Sequence, residues 1–111
     1  MEISKNESIA ILEEISKLGD NWDSYGATAF DSKVIQRAKD ILEIVTHCPM
    51  VFPTGRGSIQ FEWENPNGGY LEFEIYADKV TYLWMWNNED YQNGLIENDS
   101  QYNQLISRFF S

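Results

Sequence analysis

The sequence contains one cysteine, one histidine and three prolines among its 111 residues. A single thiol excludes an intramolecular disulfide, and with one histidine it leaves too few ligands for a structural zinc site within one chain. A lone thiol is typical of a reducing compartment, so we expect a cytoplasmic location. His47 and Cys48 are neighbours, and neighbours on a helix point about 100° apart, so they do not form a base and nucleophile pair.

Long apolar runs and basic residues are also scarce. No stretch approaches the roughly 20 apolar residues of a membrane span, and acids interrupt the N-terminal segment, so we expect neither a membrane segment nor a signal peptide. Eight Lys and Arg stand against eighteen Asp and Glu, a net charge of −10. This charge disfavours direct binding to nucleic acid or to anionic membranes, because both are bound by neutralising phosphates.

The remaining composition is that of one small folded domain. Hydrophobic residues make up 42% of the chain and aromatic residues 14%. At this length such a content is enough for one core without disulfide or metal. We therefore expect a single domain over residues 1–111.

The first half of the chain predicts two amphipathic helices. Between Ser4 and Leu18 the apolar residues recur at spacings of three and four, which is the pattern of one buried helix face, and Gly19 ends the helix. A second helix with the same pattern begins at Asp31 or Ser32, whose side chains can cap it. Pro49 ends this second helix.

After Ser58 the period changes to two, which predicts strands. Two strands alternate apolar and acidic residues on either side of a turn at Asn65 to Gly69, and a third strand runs from Val80 to Trp86. The polar segment from Asn87 to Asn98 is expected to be a connection. Asp99 or Ser100 can cap a last helix. The predicted fold is therefore α+β, of order ααβββα, with a three-stranded antiparallel meander packed on helices.

The acidic charge is concentrated in the predicted sheet. Residues 57–107 contain nine acids and one base, whereas residues 1–56 contain nine acids and six bases. If the first hairpin keeps its apolar residues on one face, like charges meet on the other, which destabilises a sheet. The residues concerned are Glu62, Glu64, Glu72 and Glu74. Two explanations stay open: solvation of an exposed sheet face, or a docking surface for a basic partner.

The register of the third strand decides where its aromatic residues lie. A three-residue turn at 77–79 places them outside, beside the glutamates, and a two-residue turn reverses this. The longer turn is favoured, because a type I′ turn needs positive φ at both Asp78 and Lys79. The aromatic residues concerned are Tyr82, Trp84 and Trp86. An outer face of this kind is either covered by the last helix or a recognition surface.

No arrangement of residues supports catalysis. Gly55 and Gly57 form a Gly-x-Gly, but it precedes a strand, whereas a phosphate-binding loop follows a strand and opens a helix. We interpret it as a turn. There is no EF-hand spacing, and a chain this short leaves little material for a substrate cleft. We expect no enzymatic activity, no cofactor and no metal.

Three short motifs occur in order along the chain: Asn21-Trp22-Asp23-Ser24-Tyr25-Gly26-Ala27, Val51-Phe52-Pro53-Thr54-Gly55 and Ile59-Gln60-Phe61-Glu62-Trp63. Together they resemble a family of small bacterial and phage-borne proteins, which has a W-D-G-Y-G-A-like loop, a V-x-P-T-like segment leading into the sheet and a Q-x-E-W-like strand. The likeness covers about residues 10 to 86 and implies no particular activity. Ser24 and Lys79 stand where the family commonly has glycine.

The loop of the first motif is interpreted as a structural lock. Gly26 permits a backbone conformation that other residues resist, and Trp22 and Tyr25 are expected to plug one end of the core. The alternative is a functional loop, since loops on a rigid scaffold often carry binding residues.

These observations predict a non-catalytic binding protein. Its expected partner is a basic protein surface, such as a nuclease or defence component that normally holds nucleic acid, because dense carboxylates imitate phosphates. The resemblance suggests a phage or mobile-element accessory or anti-defence protein. The expected partner-binding residues are Glu62, Glu64, Glu72, Glu74, Tyr82, Trp84 and Trp86. The alternatives are a self-associating or antitoxin-like protein, for instance a homodimer, and a small hydrolase or ligand binder.

Overall fold

The computed structural model of the chain describes residues 4–86 and 89–111. In that part the protein is α+β, with three helices and five strands in the order ααβββββα. The elements are α1 (Lys5–Ser16), α2 (Ser32–Ile44), β1 (Met50–Pro53), β2 (Ile59–Glu64), β3 (Gly69–Ile75), β4 (Val80–Trp86), β5 (Glu89–Leu95) and α3 (Ser100–Phe109).

The first two helices begin where side chains satisfy free backbone amides. The hydroxyl of Ser4 accepts a hydrogen bond from the amide of Glu7 at 3.1 Å, and the carboxylate of Asp31 accepts one from Lys33 at 2.9 Å. Helix α2 ends at Ile44, well before Pro49, and Val45 already has extended backbone angles. Within residues 4–86 and 89–111, no helix has the length and apolar character of a membrane span.

The five strands form one antiparallel sheet in chain order, β1-β2-β3-β4-β5. The prediction of a three-stranded meander was therefore incomplete, because both edge strands were missed. Strand β1 has only four residues, follows Pro49 and ends at Pro53, and is too short to show a period. Strand β5 occupies most of the expected polar connection, of which residues 87–88 lie outside the described part. Its sequence, EDYQNGL, has no apolar alternation.

All three helices pack on one side of the sheet, which we call the inner side. Strand β2 buries Ile59, Phe61 and Trp63 there, and β3 buries Leu71, Phe73 and Ile75. Helix α3 joins them through Tyr102, whose ring centroid lies 5.4 Å from that of Phe73. The opposite side, which we call the outer side, carries the alternate residues of each strand.

The register of β4 corrects the predicted turn. Phe73 faces Tyr82 and Leu71 faces Trp84, so these two aromatic residues lie on the inner side. The connection is the two-residue segment Ala77–Asp78, closed by the amide of Tyr76, which donates to the carbonyl of Lys79 at 2.9 Å. Outside glycine, the only residues with positive φ in the described part are Asn21 and Ser24. The hairpin therefore closes without the positive φ angles that the prediction required of it.

This register separates the aromatic residues of β4 from the glutamates. Trp84 is 9% exposed, and its ring centroid lies 5.8 Å from that of Phe109 in α3. Tyr82 is half-buried. Trp86 is 45% exposed at the end of the strand, where it faces Gly69. The expectation that Tyr82, Trp84 and Trp86 lie beside the glutamates was wrong, and α3 covers the aromatic side of the sheet instead.

Phe61 provides a test of the inner packing. Its side chain is 0% exposed and meets Trp63 edge-on. We expect Phe61→Ala to lower the free energy of unfolding by about 3–5 kcal/mol, because it removes buried area and leaves a cavity. Urea denaturation measures this change. The control is Phe52→Ala on neighbouring β1, where the ring lies on the outer side and is partly exposed, with an expected loss of about 1 kcal/mol. Equal losses would contradict the assignment of the two sides.

Candidate functional site

The outer side of β2 and β3 gathers the four glutamates on one surface. Glu62 lies directly opposite Glu72, Gln60 opposite Glu74, and Glu64 opposite Tyr70. The alternation of the hairpin therefore places the carboxylates as predicted. We call this surface the acidic face and define it by Glu62, Glu64, Tyr70, Glu72 and Glu74.

The sheet carries no balancing charge of its own. Its five strands contain six Asp and Glu and no Lys or Arg. Three bases of the helical half are paired with acids of the helices, in the ion pairs Lys5–Glu43, Lys17–Glu14 and Lys39–Glu13. Within residues 4–86 and 89–111, no ion pair involves Glu62, Glu64 or Glu72. Three carboxylates of the acidic face thus remain without a cation.

Glu74 differs from the other three because it is held in a hydrogen-bonded cluster. Its Oε2 accepts bonds from Arg56 Nε at 3.0 Å, Arg56 Nη2 at 2.8 Å and Ser58 Oγ at 2.5 Å, and its side chain is 12% exposed. Burial raises the pKa of Glu74, but the bonds from Ser58 and Arg56 outweigh it and hold the pKa below its ordinary value. This carboxylate joins the β1–β2 turn to β3.

Glu62 has the opposite environment. Burial raises its pKa, and the neighbouring charges of Glu72 and Glu64 raise it further, against a hydrogen bond from Tyr70 that lowers it. The Tyr70 hydroxyl donates to Glu72 Oε1 at 2.7 Å. Burial, followed by this bond, raises the pKa of Tyr70 well above its usual range. The centre of the acidic face is therefore a site of like-charge repulsion that one tyrosine only partly relieves.

Apolar side chains border the acidic face on both sides. Met50 of β1 faces Glu62, and Met50 is exposed. Leu83 of β4 faces Glu72, and Met85 of β4 faces Tyr70. Leu83 and Met85 thus occupy the place that the sequence assigned to aromatic residues. One feature of the sequence indicates that these aromatic residues face inward. The apolar stripe of α3 needs an apolar surface to pack on, and Tyr82 and Trp84 supply it. The stripe consists of Tyr102, Leu105, Ile106 and Phe109.

The loop before α2 is ordered by its own polar side chains. Asn21 Oδ1 accepts a bond from Gly26 at 2.8 Å, and Asp23 Oδ1 accepts bonds from Tyr25 at 2.9 Å and Ala27 at 3.1 Å. Gly26 has φ of 88°, as its predicted role requires. Trp22 stacks obliquely on Phe30, with ring centroids 6.0 Å apart.

Tyr25 does not contribute to this lock. Its side chain is 92% exposed, so the expectation that it plugs the core was wrong. The backbone at Tyr25 is held by the turn that Asp23 forms, through the bond from the Tyr25 amide, and in this turn the ring lies in solvent. The loop also lies close to the β1–β2 turn, since a Cβ on Gly55 would lie 3.3 Å from Asp23 Oδ2.

Neither of the two grooves described for this chain lies at the acidic face. Two grooves, of about 480 and 350 Å³, lie on the helical side, and none of the four glutamates lines either of them. In residues 4–86 and 89–111, no group of three or more His, Cys, Asp and Glu is arranged to hold a metal ion. No protein-family model, curated protein or solved structure matches the chain. The chemistry that the acidic face offers is that of closely spaced carboxylates on a hydrogen-bonded sheet.

The unlike environments of Glu62 and Glu74 predict opposite effects on stability. At neutral pH, Glu62→Gln should raise the free energy of unfolding by about 0.2–1 kcal/mol, because it removes repulsion between facing carboxylates. Glu74→Gln should lower it by about 1–3 kcal/mol, because charge-assisted bonds are lost. Urea denaturation of both variants and the wild type measures these differences.

The pH dependence of the two effects has a definite sign. A raised pKa in the folded state costs stability above that pKa, and the cost disappears as the pH falls through it. A lowered pKa contributes stability that is lost as the pH falls from the unfolded to the folded value. On acidification, the advantage of Glu62→Gln should therefore vanish at a higher pH than the disadvantage of Glu74→Gln. The reverse order would contradict the assigned environments.

Ser24 provides a test of the loop. Its φ is 65°, a conformation that costs a residue with a Cβ about 1–2 kcal/mol. We expect Ser24→Gly to raise the free energy of unfolding by about 0.5–1 kcal/mol, since part of the relief is offset by the entropy of glycine in the unfolded chain. The control is Ser107→Gly in α3, which is exposed and helical and should lose about 0.5 kcal/mol. Destabilisation by both changes would refute the strain at Ser24.

Proposed function

We propose that this protein is a non-catalytic binding protein whose acidic face occupies a basic surface of another protein. The observation that carries the proposal is a sheet face that no helix covers, on which Glu62, Glu64 and Glu72 have no cation within the described part of the chain. A basic partner supplies the missing charges and removes the repulsion at Glu62. The anionic face and a cationic partner surface therefore stabilise each other.

The shape of the acidic face supports a partner that normally holds nucleic acid. Glu62 and Glu64 lie two residues apart on β2, a spacing of about 6.6 Å along the strand, and Glu72 lies directly opposite Glu62 on β3. The two strands are adjacent and hydrogen-bonded, so these three anions stand on a rigid support. A protein surface that binds regularly spaced phosphates meets a comparable set of charges here.

The apolar borders add a second source of affinity. Charges across an interface mainly increase the association rate and the specificity, whereas buried apolar side chains slow dissociation. Met50 and Phe52 on one side, and Leu83 and Met85 on the other, offer that apolar contact. The resemblance to phage-borne proteins favours a bacterial nuclease or defence component as partner and a cytoplasmic site of action.

Affinity capture with matched variants tests this function. The face variant, Glu62→Gln/Glu64→Gln/Glu72→Gln, and a control, Glu7→Gln/Asp78→Asn/Glu97→Gln, each remove three negative charges from exposed or half-exposed positions. We expect wild type and control to retain the same basic protein from host lysate and the face variant to lose it. Added duplex DNA should release the captured partner, because DNA and the acidic face compete for the same basic surface of that partner.

The affinity for the purified partner should then fall steeply as salt is raised from about 50 mM to about 500 mM, because the charges of the acidic face are screened. Surface plasmon resonance measures this dependence, and the loss should appear mainly in the association rate. A partner held equally by the face variant and the control, or an affinity that is insensitive to salt, would overturn the proposal.

A further inference from the structure

The free edge of β5 is the less protected end of the sheet. Strand β1, at the other end, has only four residues, follows Pro49 and ends at Pro53. Prolines and short length are devices that block pairing at a sheet edge. Strand β5 has seven residues without proline or lysine; its two acids and the register shift of the β4–β5 ladder lie at the Glu89 end, and residues 92–95 carry no charge. Its backbone can therefore accept another strand.

The backbone groups that point outward can be assigned from the ladder between β4 and β5. The amide of Ile96 donates to the carbonyl of Val80 at 2.9 Å. Because paired and unpaired residues alternate in an antiparallel ladder, Gly94 also points its backbone groups at β4. Asn93 and Leu95 then point one N–H and one C=O each away from the sheet. The described part of the chain offers these four groups no strand to pair with.

We propose that two copies of this protein pair antiparallel through β5, about a two-fold axis at Gly94. Asn93 of one copy faces Leu95 of the other, and this pairing occurs twice. Each pair exchanges two backbone hydrogen bonds, so all four outward groups on each copy are satisfied. Directly opposed residues of an antiparallel pair point to the same side, so both outer sides lie together.

Charge does not oppose this pairing, although each chain carries −10. Residues 92–96, which form the centre of the junction, are Gln, Asn, Gly, Leu and Ile. The two β3 strands lie five strand spacings apart, about 24 Å. The Debye length at physiological ionic strength is about 8 Å, so repulsion between the two acidic faces is largely screened.

The inner side of β5 has room for a second copy. A groove of about 350 Å³ lies between β4, β5 and α3 and is lined by Tyr82, Gln92, Gln101, Gln104, Leu105 and Arg108. Gln92 Nε2 donates to the Tyr82 hydroxyl at 3.0 Å. Glutamine amides both donate and accept hydrogen bonds, so a surface rich in them is complementary to itself. The two-fold axis brings the grooves of both copies to the same junction.

This association goes beyond the proposed function and leaves the acidic face open. The dimer is a continuous sheet of ten strands, five from each copy, with all helices on one side. It presents two acidic faces side by side toward a partner. The self-associating alternative and the binding function are therefore compatible in one assembly.

Sedimentation equilibrium over a range of chain concentrations tests the pairing. We expect a reversible dimer of 12.9 kDa chains for the wild type. Leu95 is 53% exposed, and Leu95→Lys should raise the dissociation constant at least about tenfold, since a lysine on an edge strand opposes pairing. The control is Met50→Lys, an exposed residue of the other edge strand with the same change of charge, which should leave the dissociation constant within about twofold.

A second variant and a second measurement separate pairing from folding. Asn93→Pro removes one outward N–H, and edge strands tolerate proline at such positions. This variant should keep the far-ultraviolet circular dichroism of the wild type and be monomeric. Hydrogen exchange at the amides of Asn93 and Leu95 should slow as the concentration rises. A protein that is monomeric at about 1 mM, a dimer that survives both β5 variants, or a dimer in which these amides exchange rapidly would each overturn the pairing.

Discussion

The packing of α3 on the inner side of the sheet is the contact on which the rest of the structure depends. Tyr102 meets Phe73, and Phe109 meets Trp84, so the helix spans two neighbouring strands. This contact fixes which residues of β4 are buried and thereby sets the register of the β3–β4 hairpin. Once α1, α2 and α3 share one side, nothing in the described chain covers the other side. The acidic face is therefore uncovered because the helices pack against the aromatic residues on the inner side of the sheet.

Sequence patterns predicted the elements that repeat a clear period and missed those that do not. The helices and the three central strands follow from apolar spacing, and the opposition of Glu62 and Glu72 follows from alternation in one hairpin. Strand β5 forms by hydrogen bonding to β4, and its own composition shows no strand pattern. The side of Trp84 depends on α3, which lies more than a dozen residues away along the chain, so local turn geometry could not decide it. Tyr25 was misplaced for a similar reason, because its exposure depends on the geometry of the whole loop, in which its amide donates to Asp23.

The acidic face shows how residues of one type on one surface acquire different roles. Glu74 is enclosed by Arg56 and Ser58 and links a turn to the sheet. Glu62 has no cation in the described chain and faces another carboxylate. A count of acidic residues treats the two alike, whereas their pKa values move in opposite directions. Charge pattern alone therefore overstates the size of a binding surface, since a buried and paired carboxylate is not available to a partner.

The order of the strands has a consequence for folding of the protein. Each strand pairs with the strand next to it in the chain, so the sheet is built from local contacts that form quickly. Helix α3, residues 100–109, contacts β3 across a much longer stretch of chain, and such contacts form more slowly. Until α3 docks, Phe73 and Trp84 lack their cover. The folding chain then presents an aromatic surface to chaperones, and docking of α3 withdraws it.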